Sequence, residues 1–416
     1  MERQVEPSFV KGEIKAPSSK SMTQRAIAAA LLAREESIIM NPSFCDDSLA
    51  AMSIATALGA EIIIEVNELK ITGSAGLRDT KLNCGESGLS CRMFSPIAAL
   101  FDKEITMSGK GSIIKRPMSM TVDALHKLGV KCNSSGGLLP LTIRGPLKGG
   151  NLEIDGSVSS QLLTGLLMAL PLTKNDSVIK VNNLKSKPYI DLTIEVLNDF
   201  GVFVQNNNYD LFQIPGNQKY QSQSYEVEGD WSGGAFLLVA GAINGNVSIQ
   251  GLRNRSSQSD KAVISVLELA GTNMTVTSDR IYISKSSLKA FEFDATESPD
   301  LFPPLVALAS YCSGRSVIKG VTRLSYKESD RSVALKEEFG KMNISIETKD
   351  DLMFVNGGTV TGARVHSHDD HRIAMALAVA ALGASDKVII QRSDCIAKSY
   401  PGFFDDLRAI EAVIYE

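Results

Sequence analysis

The sequence predicts an α/β protein of six similar units of about 70 residues, divided three and three. Three observations lead to that class. First, a helix–glycine–strand pattern recurs: Ala57-Leu58-Gly59 before a strand at 60–64, Lys127-Leu128-Gly129 before Val130, Asp199-Phe200-Gly201 before 202–204, and Leu269-Ala270-Gly271 before 274–276. These glycines stand 70, 72 and 70 residues apart, and glycine suits the left-handed turn that stops a helix. Second, helices that are apolar on every face begin near Ser19, Glu86, Ser159, Asp230, Ser298 and Asp369, at spacings of 67, 73, 71, 68 and 71. A helix apolar all round belongs in a core. Third, 416 residues with 44% hydrophobic and 22% charged side chains are the balance of a globular chain, long enough for two or three domains.

The elements follow in order. Residues 4–10 read as a strand that precedes the first unit and can pair with the second half. Each buried helix opens on Ser, Asp or Glu, which cap free N–H groups or match the helix dipole. An amphipathic surface helix follows, then short strands. Two weaker copies close the series: Glu338-Phe339-Gly340 before 344–346, and a helix at 407–410 before 413–415. The seam falls near 225–228, giving an N-terminal domain at 14–227 and a C-terminal domain made of 1–13 and 228–416, three repeats each.

Composition excludes several functions. Forty-three Lys and Arg against 47 Asp and Glu leave a net charge of −4, unlike the basic balance of a nucleic-acid binder. Six cysteines form no C-x-x-C pair, so zinc-ribbon and thioredoxin readings fail; scattered thiols fit a reducing cytosol. The N-terminus has no apolar signal core, and the longest uncharged apolar stretch, 373–384, falls short of the roughly 20 residues of a membrane span. A cytoplasmic protein without membrane or nucleic-acid partners is expected. Neither G-x-x-x-x-G-K-[ST] nor G-x-G-x-x-G occurs, which removes the usual nucleotide motifs. The His366-Ser367-His368-Asp369-Asp370-His371 run reads as the start of a helix with a functional Asp-His-Arg rather than as a metal centre.

The informative polar residues sit where the buried helices begin. They are Lys20, Ser21 and Arg25; Ser87 and Arg92; Ser159, Ser160 and Gln161; Asp300; and Asp370, His371 and Arg372. Further cations, Lys115-Arg116, Lys327, Arg331 and Lys398, stand near surface-helix starts. Helix N-termini attract anions, and Arg grips phosphate and carboxylate in bidentate fashion. If helix ends of the two halves face one another, the ligand carries phosphate and carboxylate groups.

These residues fall into motifs that resemble the 5-enolpyruvylshikimate-3-phosphate synthase family. Lys20-Ser21-Met22-Thr23-Gln24-Arg25-Ala26 is similar to its S-K-S-x-x-x-R-A signature, and Asp155-Gly156-Ser157-Val158-Ser159-Ser160-Gln161 to D-G-S-x-S-S-Q. Ser186-Lys187-Pro188-Tyr189, Lys327-Glu328-Ser329-Asp330-Arg331, Asp370-His371-Arg372-Ile373-Ala374-Met375 and the segment around Lys398 and Pro401 match later motifs, in the expected order. The resemblance implies a two-domain inverted α/β barrel of six βαβαββ repeats, with buried parallel helices and an active site in the interdomain cleft. It implies transfer of the enolpyruvyl group of phosphoenolpyruvate to the 5-hydroxyl of shikimate 3-phosphate by addition and elimination, on the route to chorismate and aromatic amino acids. It implies no metal, no organic cofactor and a monomer, and a glyphosate target.

By motif, Lys20, Ser21, Arg25, Ser159, Ser160, Gln161, Ser186, Tyr189, Asp300 and Lys327 are expected to hold shikimate 3-phosphate. Lys20, Gly88, Arg116, Gln161, Arg331, Arg372 and Lys398 are expected to hold phosphoenolpyruvate. The N-terminal domain then mainly binds shikimate phosphate, and the C-terminal domain brings the catalytic carboxylates and part of the phosphoenolpyruvate site. Asp300 is the expected base for the 5-hydroxyl, Glu328 the proton shuttle at C3, with Lys20 and Lys327 exchanging protons.

The family's G-N-[AS]-G-T-x-x-R loop, which contacts glyphosate, reads here Gly85-Glu86-Ser87-Gly88-Leu89-Ser90-Cys91-Arg92. Glu86 and Leu89 replace the common Asn and Thr, and Arg323 stands where a substrate-binding Asn is common. A carboxylate beside an anionic substrate is unfavourable unless it turns away or pairs with a cation. The UDP-N-acetylglucosamine enolpyruvyl transferases share fold and donor but carry a loop cysteine, and residues 109–118 have none. An RNA 3′-phosphate cyclase predicts a basic surface and a nucleotide site that the sequence lacks.

Overall fold

The computed structural model describes residues 1–157, 159–325 and 327–416. Val158, inside the 155–161 motif, and Tyr326 lie outside the described residues. The chain divides into two compact units, Met1–Pro17 with Glu228–Glu416, and Ser18–Val227. Residues 14–17 belong with the C-terminal residues, four beyond the limit read from the sequence, because the strand Val10–Lys15 pairs along its length with Gly245–Gln250.

Among the described residues the strands form six four-stranded sheets, three per unit. One repeat shows the plan. Asn151–Asp155 leads into the buried helix Gln161–Ala169 and then Ser177–Asn182, which pairs parallel with the first strand. The surface helix Pro188–Asp199 follows, and a hairpin of Gln205–Asn207 and Leu211–Ile214 closes the sheet antiparallel. The repeats after Lys81–Asn83 and Glu292–Asp294 copy this order. The other three are completed by distant strands. Ser224–Glu226 joins Glu36–Met40, Val10–Lys15 joins Gly245–Gln250, and Glu2–Val5 lies between Val388–Gln391 and Ile414–Tyr415. The single strand read at 4–10 is therefore two strands in two sheets. Pro7, which has no N–H to give a ladder, stands in the break.

The six all-apolar helices are Lys20–Leu32, Gly88–Ala98, Gln161–Ala169, Trp231–Asn244, Phe302–Ala309 and His371–Ala381. Full burial of a Leu-sized side chain contributes roughly 1.5–3 kcal/mol. The short helix Gln161–Ala169 buries Leu162, Leu163, Leu166 and Leu167, so packing rather than length holds it. Gly165 lets it approach its neighbour closely: a Cβ there would lie 2.6 Å from the Met93 carbonyl oxygen.

Ser19, Ser87, Asp230 and Asp370 cap their helices with side-chain oxygens. The start read at Ser298 holds only for a 3-10 turn, Pro299–Leu301; the α-helix begins at Phe302. Gly59, Gly129, Gly201 and Gly271 take φ of +110°, +79°, +75° and +74° behind the surface helices. Gly340 does not share that role. The helix Arg331–Lys341 runs through it, and Asn343 makes the left-handed turn at φ +66°.

Candidate active site

In the unit containing the C-terminal half, one guanidinium organises the polar residues. Arg331 opens the helix Arg331–Lys341, whose cap Asp330 accepts from Ser332 and Val333 N–H. Its Nη1 lies 2.7 Å from Asp300 Oδ1, its Nη2 2.7 Å from Glu328 Oε2, and its Nε 2.8 Å from Asp370 Oδ2. Arg331 is 1% exposed and Asp370 is fully buried. Burial alone pushes the guanidinium pKa down, but Asp370, Glu328 and Asp300 outweigh it and raise it.

Asp300 comes from the 3-10 turn before Phe302–Ala309. Besides Arg331 it meets Lys327 Nζ at 3.2 Å and Arg372 Nη2 at 3.1 Å. Burial pushes its carboxyl up, yet Arg372, Lys327 and Arg331 together hold it well below the usual carboxylate range. Burial also lowers the Lys327 ammonium, with Arg331 and Arg323 adding to the effect against Asp300 and Glu328. Lys398, at the end of the 3-10 helix Ser393–Lys398, lies 3.5 Å from Glu328 Oε1. Asp370 both caps His371–Ala381, accepting from Arg372 N at 3.0 Å, and receives Arg331. All six residues read from this half (Asp300, Lys327, Glu328, Arg331, Arg372 and Lys398) thus join one network of charge-assisted contacts.

In the unit Ser18–Val227 the predicted residues form three groups. Lys20, the first residue of Lys20–Leu32, pairs with Asp47 at 2.9 Å. Gly88, Arg116 and Gln161 meet around Arg92, whose Nη1 donates to Gln161 Oε1 at 3.0 Å. A Cβ on Gly88 would lie 3.0 Å from Arg116 Nη1, 3.2 Å from Arg92 Nη1 and 3.3 Å from Gln161 Oε1, so the missing side chain lets these groups gather. Ser159 Oγ accepts from the Gln161 N–H at 3.2 Å, and Ser160 is buried at the helix cap.

The third group surrounds Arg25, which is 1% exposed. Its donors go to Thr193 Oγ1 at 2.9 Å, Ser21 O at 2.9 Å, Tyr189 O at 3.2 Å and Thr164 Oγ1 at 3.4 Å. Burial lowers its pKa to about 10. Here Arg25 ties the start of Lys20–Leu32 to Pro188–Asp199, bringing Ser21 and Tyr189 together. Ser186 is buried with φ +59° just before that helix.

Asp47 and Arg92 are absent from the residue set that the sequence assigns to a site. Asp47 gives one sequence signal, its place in the acidic first turn of Asp46–Ala57. Arg92 stands only among the helix-end cations. Glu86 turns to the backbone of the next loop: its Oε2 accepts from Ser112 N at 3.5 Å, and a Cβ on Gly111 would strike its carboxyl at 2.2 Å. Leu89 joins the core. Glu337, Glu338 and His368 bring three possible ligand atoms within 4.8 Å, but Lys341 already neutralises both carboxylates, at 3.2 and 2.8 Å. Among the described residues no helix is long and apolar enough to cross a membrane.

Residues 5–407 match the family model described as EPSP synthase (3-phosphoshikimate 1-carboxyvinyltransferase). The chain belongs to the EPSP synthase family. It is 38% identical to the 3-phosphoshikimate 1-carboxyvinyltransferase of Clostridium perfringens (strain SM101 / Type A) over 418 residues, 99% of each chain. The protein of that name from Methanocorpusculum labreanum is also 38% identical, over 99% of each chain. Among solved structures, an EPSP synthase from Acinetobacter baumannii superposes with a TM-score of 0.85 at 25% identity, covering 100% of this chain and 99% of that one. The α/β fold with its six small sheets is thus shared with an EPSP synthase of known structure, in agreement with the fold class read from the sequence.

Proposed function

We propose that this protein transfers the enolpyruvyl group of phosphoenolpyruvate to the 5-hydroxyl of shikimate 3-phosphate and releases phosphate. The carrying observation is the carboxylate pair Asp300 and Glu328, bridged by Arg331 and flanked by Lys327, Lys398 and Arg372. Arg331, Arg372, Lys398, Lys20, Arg116, Gln161 and Gly88 serve phosphoenolpyruvate. Lys20, Ser21, Arg25, Ser159, Ser160, Gln161, Ser186, Tyr189, Asp300 and Lys327 serve shikimate 3-phosphate, Arg25 by holding its neighbours in place.

The chemistry follows from charge. A carboxyl held far below its usual range is a poor base. When the phosphoenolpyruvate anion takes Arg331 and Arg372, Asp300 loses two of its three counter-cations and its pKa rises. Asp300 then accepts the 5-hydroxyl proton as oxygen attacks C2. Glu328 delivers a proton to C3, and Lys327, its ammonium pKa lowered by burial, exchanges protons with this pair. In the elimination Glu328, deprotonated by the first step, takes a proton back from C3 as the C2–O bond to phosphate breaks and the C2–C3 double bond re-forms. The Lys and Arg groups stabilise the charge of the departing phosphate. These cations come from side chains of one chain, so the reading uses no metal, no organic cofactor and no second copy of the protein. Two water-soluble phosphorylated substrates support a cytoplasmic place of action.

The test is phosphate release from purified protein given both substrates, with and without EDTA. Equal release in both is expected; release that needs added metal overturns the cofactor-free scheme. Asp300→Ala is expected to lower kcat by about 10²–10⁴-fold, and an unchanged rate removes Asp300 from the base role.

A further inference from the structure

The helix Arg331–Lys341 carries a second residue aimed at the same segment as Arg331. Glu338 stands seven positions on, two turns along and on the same face. It is fully buried. Its Oε2 accepts from the His366 N–H at 2.8 Å, its Oε1 lies 2.6 Å from His368 Nε2, and Lys341 Nζ meets both oxygens at 2.8 and 2.9 Å. Burial pushes this carboxyl up, but Lys341, the His366 amide and His368 prevail and keep it below the usual range.

The segment it grips is strained. His368 and Asp369 take φ of +54° and +56° in succession, a left-handed conformation uncommon for non-glycine residues, though His and Asp adopt it more readily than most. Two in a row store backbone energy that neighbouring contacts must offset. Directly after them comes Asp370, which receives Arg331 and caps the helix that carries Arg372. Ser367, between the two gripped histidines, pins the turn as well: its Oγ donates to Arg392 O at 2.9 Å and accepts from Asp369 N at 3.1 Å. The exposed Asp369–Arg392 pair adds little in water.

We propose that Glu338 is a positioning residue: by clamping His366 and His368 it holds the strained turn that sets Asp370 and Arg372 against Arg331. The two ends of one helix then hold the two ends of one turn, and the geometry of both guanidiniums depends on a residue two turns from the chemistry. This inference rests on the reading of Arg331 and Arg372 as phosphoenolpyruvate ligands.

The experiment is steady-state kinetics of Glu338→Ala, Glu338→Gln, His368→Ala and Arg372→Ala, each substrate varied in turn. Misplacing a binding group by about 1 Å can cost on the order of 10²-fold, so Glu338→Ala is expected to raise KM for phosphoenolpyruvate about 10–100-fold while KM for shikimate 3-phosphate stays within about twofold. Glu338→Gln, which keeps an acceptor for the His366 amide, is expected to fall between Glu338→Ala and the parent. His368→Ala is expected to act in the same direction as Glu338→Ala. If Glu338→Ala does not fold, Glu338→Gln and His368→Ala decide by the same criterion. Unchanged phosphoenolpyruvate KM, or both KM values raised alike, overturns the proposal. An Arg372→Ala protein with unchanged phosphoenolpyruvate KM instead sinks the underlying reading. A strong Arg372 effect with silent Glu338 and His368 variants sinks only the positioning role.

Discussion

Arg331 shows why this site needs arginine. A planar guanidinium offers five donors in a fixed fork, and here Nη1, Nη2 and Nε each meet a different carboxylate. A lysine in its place brings one compact ammonium and cannot span three partners. Asp260 is a further carboxyl near this network. It is buried, takes a hydrogen bond from the Ser232 hydroxyl and another from Ser259 Oγ at 3.2 Å. Burial first, then Asp300, with Asp230 adding, push it up to about 6 against Arg372 and Ser232. Its folded value lies above the unfolded value of about 3.9. The stability it contributes is therefore full below about pH 4 and lost as pH rises through about 6. Asp260→Asn is expected to raise the melting temperature at pH 7.5, with the gain closing by about pH 4. A gain of the same size at both pH values counts against this account.

At the scale of elements, the ends of helices matter more than their middles. The same cap that satisfies N–H groups at the start of a buried helix also fixes the backbone of a residue in the carboxylate network, as Asp370 does for Arg372. At the other end, glycine marks the stop of a surface helix only where the backbone turns left-handed. Gly271, at φ +74°, has open space around it, and a Cβ added there would come no nearer than 3.9 Å to its closest neighbour, Lys289 Cδ. Gly271→Ala therefore isolates the backbone cost and is expected to destabilise by about 1–2 kcal/mol, read as a lower denaturant midpoint at constant m-value. Gly340 lies inside its helix and has no positive φ, so the same substitution there is expected to be neutral or stabilising.

At the scale of the molecule, three of the six sheets borrow a strand from far along the chain. Glu2–Val5 sits inside one sheet with partners on both sides, and Val10–Lys15 closes another. Removing residues 1–17 leaves Val388–Gln391 and Gly245–Gln250 with unpaired edges, which invite aggregation. The truncated chain is expected to be largely insoluble, or to unfold well below the full chain in a thermal scan. A soluble truncation with an unchanged melting temperature overturns the structural role of these strands.

Much of this is legible in one dimension. The four spaced glycines, the six all-apolar helices and the order of the polar motifs identify the repeats and most of the residues that gather within each unit, from Lys20 to Tyr189 in one and from Asp300 to Lys398 in the other. Such features are local: a cap, a turn or an apolar face depends on residues within a few positions of one another. What the line of residues does not reveal are partnerships across the fold. Asp47 meets Lys20, Arg92 meets Gln161 and Glu338 meets His368 over separations of 27, 69 and 30 residues. Nor does it reveal that residues 4–10 split between two sheets, or that Asn343 rather than Gly340 makes the turn. By itself the sequence determined the repeat, the buried faces and the type of chemistry. Only the tertiary structure decided which charges pair and how strongly each is shifted, because burial and electrostatics act through space, whatever the distance along the chain.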